Sequence, residues 1–228
     1  MASVKLNTTL QEYQSFVKDV YGLSNDRYFE ISDMLINIQR FTMRGLKGIR
    51  KQDVEATKLN LMIAESWFMS LMNQLHIDLA EKVWKRFPYA CSYCTSCPCS
   101  CKKRKIKTRQ PVIPNEKKHP KTFVDFQIMF KHIYPSESRT IEDAGIHLAE
   151  EIGELSEAFL KYQSSKNNND FAKIVEEAAD FFSCLMGVFN SLNVSVPREL
   201  SKIFQLNCHE CRKIPCQCSF DFIMNYKS

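Results

Sequence analysis

The sequence predicts an all-α protein made of two tandem four-helix units, each ending in a Cys-rich loop. Three observations lead there. Apolar residues recur at helical spacing through the long segments. Glycine is sparse, six in 228 residues, while hydrophobic content is ordinary for a folded chain. The chain also repeats itself. At an offset of 117, YACSYCTSCPCSC (89–101) lies over LNCHECRKIPCQC (206–218), and NQLHIDLAEKVWKRF (73–87) lies over NSLNVSVPRELSKIF (190–204). At the same offset EISDMLINIQRF lies over HLAEEIGELSEA, while near the start YQSFVKDVYG matches FQIMFKHIYP at an offset of 113. The predicted organisation is a first unit over 1–101, a linker over 102–122 and a second unit over 123–228.

In the second copy the helices are expected near 122–134, 140–163, 170–192 and 197–206. Thr140 with Asp143 three residues on is an N-terminal cap. Pro197 suits a first helical turn. The polar run SSKNNND (164–170) is the turn between the two long helices.

Net charge is +5, but it is concentrated. Residues 102–121 hold nine Lys or Arg and one Glu, leaving 22 basic against 25 acidic residues elsewhere. Three prolines and no apolar period mark this segment as an irregular connection. A solvated tether is its plain interpretation, and contact with nucleic acid or another polyanion the sharper one. No run approaches the ~18 apolar residues of a membrane span. The N-terminal MASVKLNTTLQEYQSF lacks the apolar core of a signal peptide. A cytoplasmic protein with no membrane partner is expected.

The stretch HLAEEIGELSEAF carries the chemistry. At about 100° per residue, Ile141, Ala144, Leu148, Ile152, Leu155 and Phe159 form one apolar stripe. His147, Glu150, Glu151 and Glu154 lie together on one flank, with Glu157 near the rim. On the next long helix Phe171, Ile174, Ala178, Phe182, Leu185, Phe189 and Leu192 make the stripe, and Glu177 and Asp180 lie on the same rotational side. Antiparallel packing brings these acids into one groove at similar heights. Converging carboxylates repel and raise one another's pKa unless something positive sits among them. All-oxygen ligation suits Mg²⁺ or Mn²⁺, and such an ion holds phosphate oxygens and activates water. Gly153, costing about 1 kcal/mol relative to Ala in a helix, is expected to permit close helix approach beneath the site.

Ten cysteines are many for a cytosolic chain, where disulfides are unexpected. Each copy ends in C-x2-C-x4-C-x-C: Cys91, Cys94, Cys99 and Cys101, then Cys208, Cys211, Cys216 and Cys218. Four thiolates complete a tetrahedral Zn²⁺ shell, so two structural zinc ions are expected. Spacing leaves open whether each frame closes its own site or pairs mix across the copies. Cys97 has no counterpart; a free thiol and a bridge to a second metal both fit it. Cys184 reads as a small buried residue, and His76, His132 and His209 as ordinary histidines.

The acids resemble the pattern of the MazG-like, all-α nucleoside triphosphate pyrophosphohydrolase superfamily: EExxE, a gap, then ExxD. Here these are Glu150, Glu151 and Glu154, then Glu177 and Asp180 after 22 residues. The resemblance covers 123–206. It implies hydrolysis of a nucleoside triphosphate, or a related nucleotide, to monophosphate and pyrophosphate with Mg²⁺ held by the five acids, one of which accepts a proton from water. Lys173 matches a phosphate-contacting position; Lys202, Asn207 and His147 are further substrate-binding candidates. The positions equivalent to the acids in the first copy are Asp33, Met34, Asn37, Asn60 and Ile63, so that copy is expected to be degenerate. Family members form dimers, which implies that this chain is an intramolecular pseudo-dimer and leaves room for a homo-oligomer of such chains. Trp67, Phe68 and Met69 are candidates for a nucleoside pocket as well as for core packing. Two other functions compete: a non-catalytic metal–nucleotide sensor, and a zinc-containing nucleic-acid-binding protein using the basic linker. The linker lacks base-stacking aromatics, which ranks the latter last.

Overall fold

The computed structural model describes residues 3–104, 106 and 108–226, and every regular element among them is helical. The helices are α1 Leu10–Tyr28, α2 Ile31–Arg50, α3 Val54–Gln74, α4 Leu79–Arg86, α5 Cys101–Arg104, α6 Phe123–Ile133, α7 Ile141–Ser165, α8 Asn168–Ser191, α9 Val196–Ile203 and α10 Phe220–Asn225. Short 3₁₀ turns occupy Glu116–Lys118 and Ser136–Ser138. Among the described residues no helix is long and apolar enough to cross a membrane.

Local chemistry sets the helix ends. Thr140 caps α7 with Asp143 in a reciprocal box, Asp143 N–H donating to Thr140 Oγ1 at 3.1 Å. Thr122 and Asp125 repeat the device on α6, and Thr9 and Glu12 on α1. The turn between α7 and α8 is shorter than SSKNNND suggested. Lys166 takes a left-handed conformation (φ 52°), and Asn167 accepts from Asp170 N–H at 2.9 Å, so α8 starts at Asn168. Pro197 lies in the first turn of α9.

The chain forms two compact units, Met1–Asp78 with Ser195–Ser228, and Leu79–Val194. These differ from the units read off the repeat, 1–101 and 123–228. Each copy's fourth helix and Cys loop pack with the first three helices of the other copy. In the unit Leu79–Val194, α4 packs on α8, and Phe87 meets Phe130 and Tyr134, the latter at 6.3 Å and 81°. In the unit containing α1 to α3, α9 packs on α3, and Phe204 meets Tyr21 at 6.4 Å and 80°. Phe87 and Phe204, like Tyr134 and Tyr21, are equivalent in the repeat. The loops dock identically too: Cys99 N–H donates to Ile133 O at 2.8 Å, and Cys216 N–H to Val20 O at 2.7 Å. The boundaries fall after matching turns. His76 (φ 55°) and Asn193 (φ 54°) are left-handed, and Ile77 N–H to Met72 O and Val194 N–H to Phe189 O both span 2.9 Å. α4 and α9 are short amphipathic helices, and a larger apolar face covers each.

In the unit Leu79–Val194, Phe182 lies at the core, edge-on to Phe123, Phe126 and Phe130. In the other unit Leu61, Met62, Phe68, Met69 and Met72 of α3 are fully buried beside Tyr13 and Val17 of α1. The basic stretch contributes α5 and the 3₁₀ turn Glu116–Lys118; positions 105 and 107, inside the predicted linker, lie outside the described residues.

Candidate metal centre

Three of the five predicted acids converge. Carboxylate oxygens of Glu151 on α7 and of Glu177 and Asp180 on α8 lie within 4.8 Å of one another. The helical phase that buries Leu148, Ile152 and Leu155 on α7, and Ala178 and Phe181 on α8, turns these acids toward each other. Glu177 is buried, and one oxygen each of Glu151 and Glu177 is shielded from solvent without a hydrogen-bond partner. Such orphaned oxygens are costly to leave unpaired. Burial, then the charges of Asp180, Glu154 and Glu177, push the Glu151 carboxyl up to about 8. Glu154 stands at the edge, its pKa raised by partial burial and by Glu177.

The remaining predicted residues are placed unevenly. Glu150 is solvent-exposed, 2.9 Å from Nδ1 of an equally exposed His147. Neither belongs to the triad. Lys173 pairs with Glu177 and, at 3.5 Å, with Glu176; these partners outweigh burial and raise its pKa. Lys202 and Asn207 belong to the other compact unit, a consequence of the exchange. There Lys202 pairs with Glu199 at 2.7 Å, and left-handed Asn207 donates to Arg212 O at 3.3 Å.

Sequence reasoning missed two arginines. Arg86, on α4 from the first copy, forks onto Asp180, with Nε to Oδ1 at 3.1 Å and Nη2 to Oδ2 at 2.5 Å. Its Nη1 reaches Glu176 at 3.2 Å. Burial disfavours the Arg86 charge, yet the Asp180 pair outweighs it and the pKa is raised. Arg109, from the basic stretch, meets Asp180 Oδ2 at 3.2 Å. Arg86 could be assigned only by knowing which copy covers α4, and Arg109 stood in a segment read as a linker.

Three carboxylates, two of them with an unpartnered oxygen, could hold a hard divalent cation. Comparison with protein-family models, curated proteins and solved structures gives no match.

The cysteines form two further clusters, each closed within its own loop: Cys91, Cys94, Cys99 and Cys101, and Cys208, Cys211, Cys216 and Cys218. Sulfur separations of 3.4–3.9 Å match the edge of about 3.8 Å that a tetrahedron with Zn–S bonds of about 2.3 Å requires. Amide N–H groups of Ser100 and Gln217 each approach a sulfur at 3.3 Å, as thiolates require. Burial opposes ionisation of Cys94, but hydrogen bonds from Ser96 and Ser100 bring its thiol down to about 5. Thr95 and Arg212, equivalent in the repeat, are both left-handed at φ 55° and 57°. Both loops could therefore hold zinc. Cys97 is exposed and outside its cluster.

Gly153 does not serve close packing: a Cβ there would meet nothing within 4 Å. The close approach is at Gly187, where a Cβ would collide with the Arg139 guanidinium. Phe68 and Met69 are core residues, whereas Trp67 meets Phe29 at 5.0 Å and lines an apolar pocket with Phe41, Ile63 and Tyr226.

Proposed function

We propose that this protein is a Mg²⁺-dependent nucleotide pyrophosphohydrolase of the MazG-like kind, converting a nucleoside triphosphate or related nucleotide to monophosphate and pyrophosphate. The convergence of Glu151, Glu177 and Asp180 with orphaned buried oxygens carries the reading. A Mg²⁺ or Mn²⁺ ion bound there supplies a clamp on phosphate oxygens and a lowered pKa for water. Glu151, Glu177 and Asp180 hold the ion, and Glu154 lies within reach at the edge. Lys173 leaves Glu177 for a phosphate oxygen, and Arg86 stabilises negative charge on the polyphosphate. Glu150 and His147 line the solvent edge of the groove.

In the same reading the chain is a pseudo-dimer within one polypeptide. The exchanged fourth helices support it, since swapped elements are a familiar route to two-fold assemblies. The unit built on α1 to α3 is the degenerate copy, and zinc fastens each Cys loop. A nucleotide panel incubated with pure protein, with and without Mg²⁺, tests the activity by mass spectrometry of the products. The account expects monophosphate and pyrophosphate from at least one nucleotide, only with metal. Tight nucleotide binding with no turnover would replace the enzyme by a metal–nucleotide sensor.

A further inference from the structure

Several described residues of the basic stretch are anchored to the fold. Arg104 Nη1 donates to Cys94 O at 3.1 Å, and Gln110 N–H donates to Tyr93 O at 3.2 Å. Further on, Trp84 Nε1 donates to Glu116 Oε1 at 3.4 Å, and the His119 ring stands edge-on to Trp84 at 4.7 Å. The connection is therefore fastened to the first Cys loop at one end and to α4 at the other. Between these anchors Arg109 is presented to the acidic triad. Its guanidinium stacks over Tyr93, 4.6 Å from the ring centre. Its Nη2 contacts Asp180 Oδ2, and its Nη1 is shielded from solvent with no partner. A guanidinium that gives one arm to Asp180 and keeps a shielded Nη1 unpaired has a donor without an acceptor.

The other unit offers a contrast. The position equivalent to Asp180 is Ile63, which lines an apolar pocket with Phe41, Trp67 and Tyr226. No acid stands there for a guanidinium to meet.

We propose that Arg109 is a polyphosphate-binding residue of the acidic groove, so that the basic stretch is part of the binding site. This rests on the reading of that groove as a metal–polyphosphate site. Without ligand, Arg109 neutralises Asp180. Were a divalent cation held at the triad, Arg109 would be released from Asp180 to offer its fork to a phosphate, with Tyr93 beneath the guanidinium. Lysine offers neither the fork nor the stack.

The test uses the full chain, Mn²⁺ and inorganic tripolyphosphate, with calorimetry as the readout, so it does not depend on turnover. Arg109→Gln is expected to weaken Mn²⁺-dependent tripolyphosphate binding by about ten-fold or more. Its affinity for Mn²⁺ alone is expected to hold or tighten, because a competing cation has gone. Arg109→Lys is expected to recover only part of the loss. A chain with Lys102 and Lys103 of α5 changed to Gln is expected to bind as wild type. Unchanged tripolyphosphate binding in Arg109→Gln overturns the proposal. So does an equal loss in the α5 variant, which would assign binding to the charge of the run, or no Mn²⁺-dependent binding by the wild type. Binding that depends on Arg109 in a protein that hydrolyses no nucleotide would keep this proposal and remove the enzymatic one.

Discussion

The two units share helices, caps, turns and loop docking, yet their grooves are opposite in character. In the unit Leu79–Val194, Glu151, Glu177 and Asp180 crowd together and need Arg86, Arg109 and Lys173 around them. In the other, the equivalent positions are buried Met34, Asn60 and Ile63, with Asn37 one turn on. There Asn37 Nδ2 donates to Asp33 O at 3.0 Å and Asn60 Nδ2 to Ala56 O at 2.7 Å, so each amide finds an acceptor on its own helix. Arg40 and Arg44 reach the Tyr226 carbonyl beyond α10, at 2.9 and 3.0 Å. One groove pairs its amides locally; the other holds a Glu151 carboxyl driven up to about 8 and carboxylate oxygens without partners. The helices thus form without the acids at these positions, and in the proposed reading a bound cation offsets the electrostatic cost of the acids in the other unit.

The largest expected effect separates the grooves by activity. Glu151→Gln or Asp180→Asn should lower metal-dependent pyrophosphate release by at least about 10²-fold while circular dichroism is unchanged. Substituting Asn37 or Asn60 by Ala should leave turnover within about two-fold, which mutant kinetics will show.

The exchange gives the next effect. Each chain is expected to carry two zinc ions by metal analysis, and loss of either should cost on the order of 3 kcal/mol or more of local stability. Because the loops dock across copies, Cys91→Ser should expose amides near Ile133 of α6, and Cys208→Ser amides near Val20 of α1. Hydrogen exchange that instead loosened each loop's own copy would contradict the exchanged packing.

Glu65 is a smaller difference between the units. It is fully buried on α3 without a hydrogen bond to either oxygen, where the other unit has Phe182. Burial raises its pKa well above 4.5. The folded state therefore holds a proton that the unfolded state releases, and stability falls as pH rises above about 4.5 toward the folded pKa. Glu65→Met should add about 1–3 kcal/mol at pH 8 and flatten that slope in denaturant titrations. The smallest effect is Gly153→Ala, expected to stabilise α7 by about 1 kcal/mol, read as a higher Tm.

The helices of the second copy were legible because periodicity and caps are local. Thr140, Asp143 and Pro197 act within a turn of their own position. The acidic groove was legible because phase along α7 and α8 fixes which side chains share a flank, and Glu151, Glu177 and Asp180 do. The exchange of α4 and α9 was not, since an apolar stripe on a short helix tells which face is buried but not which partner covers it. That hid Arg86, placed Lys202 and Asn207 on the wrong groove, and left the basic stretch looking like a tether. Glu150, at one residue's rotation from Glu151, is exposed and outside the triad. Gly153 suggested close packing that the neighbouring helix reserves for Gly187.

Manganese binding tests the central contrast most directly. Electron paramagnetic resonance titration of the full chain with Mn²⁺ should show binding that Glu177→Gln abolishes and that Asn60→Ala leaves intact. Absence of bound Mn²⁺ in the wild type, or binding that survives Glu177→Gln, would contradict the assignment of a metal site to this groove.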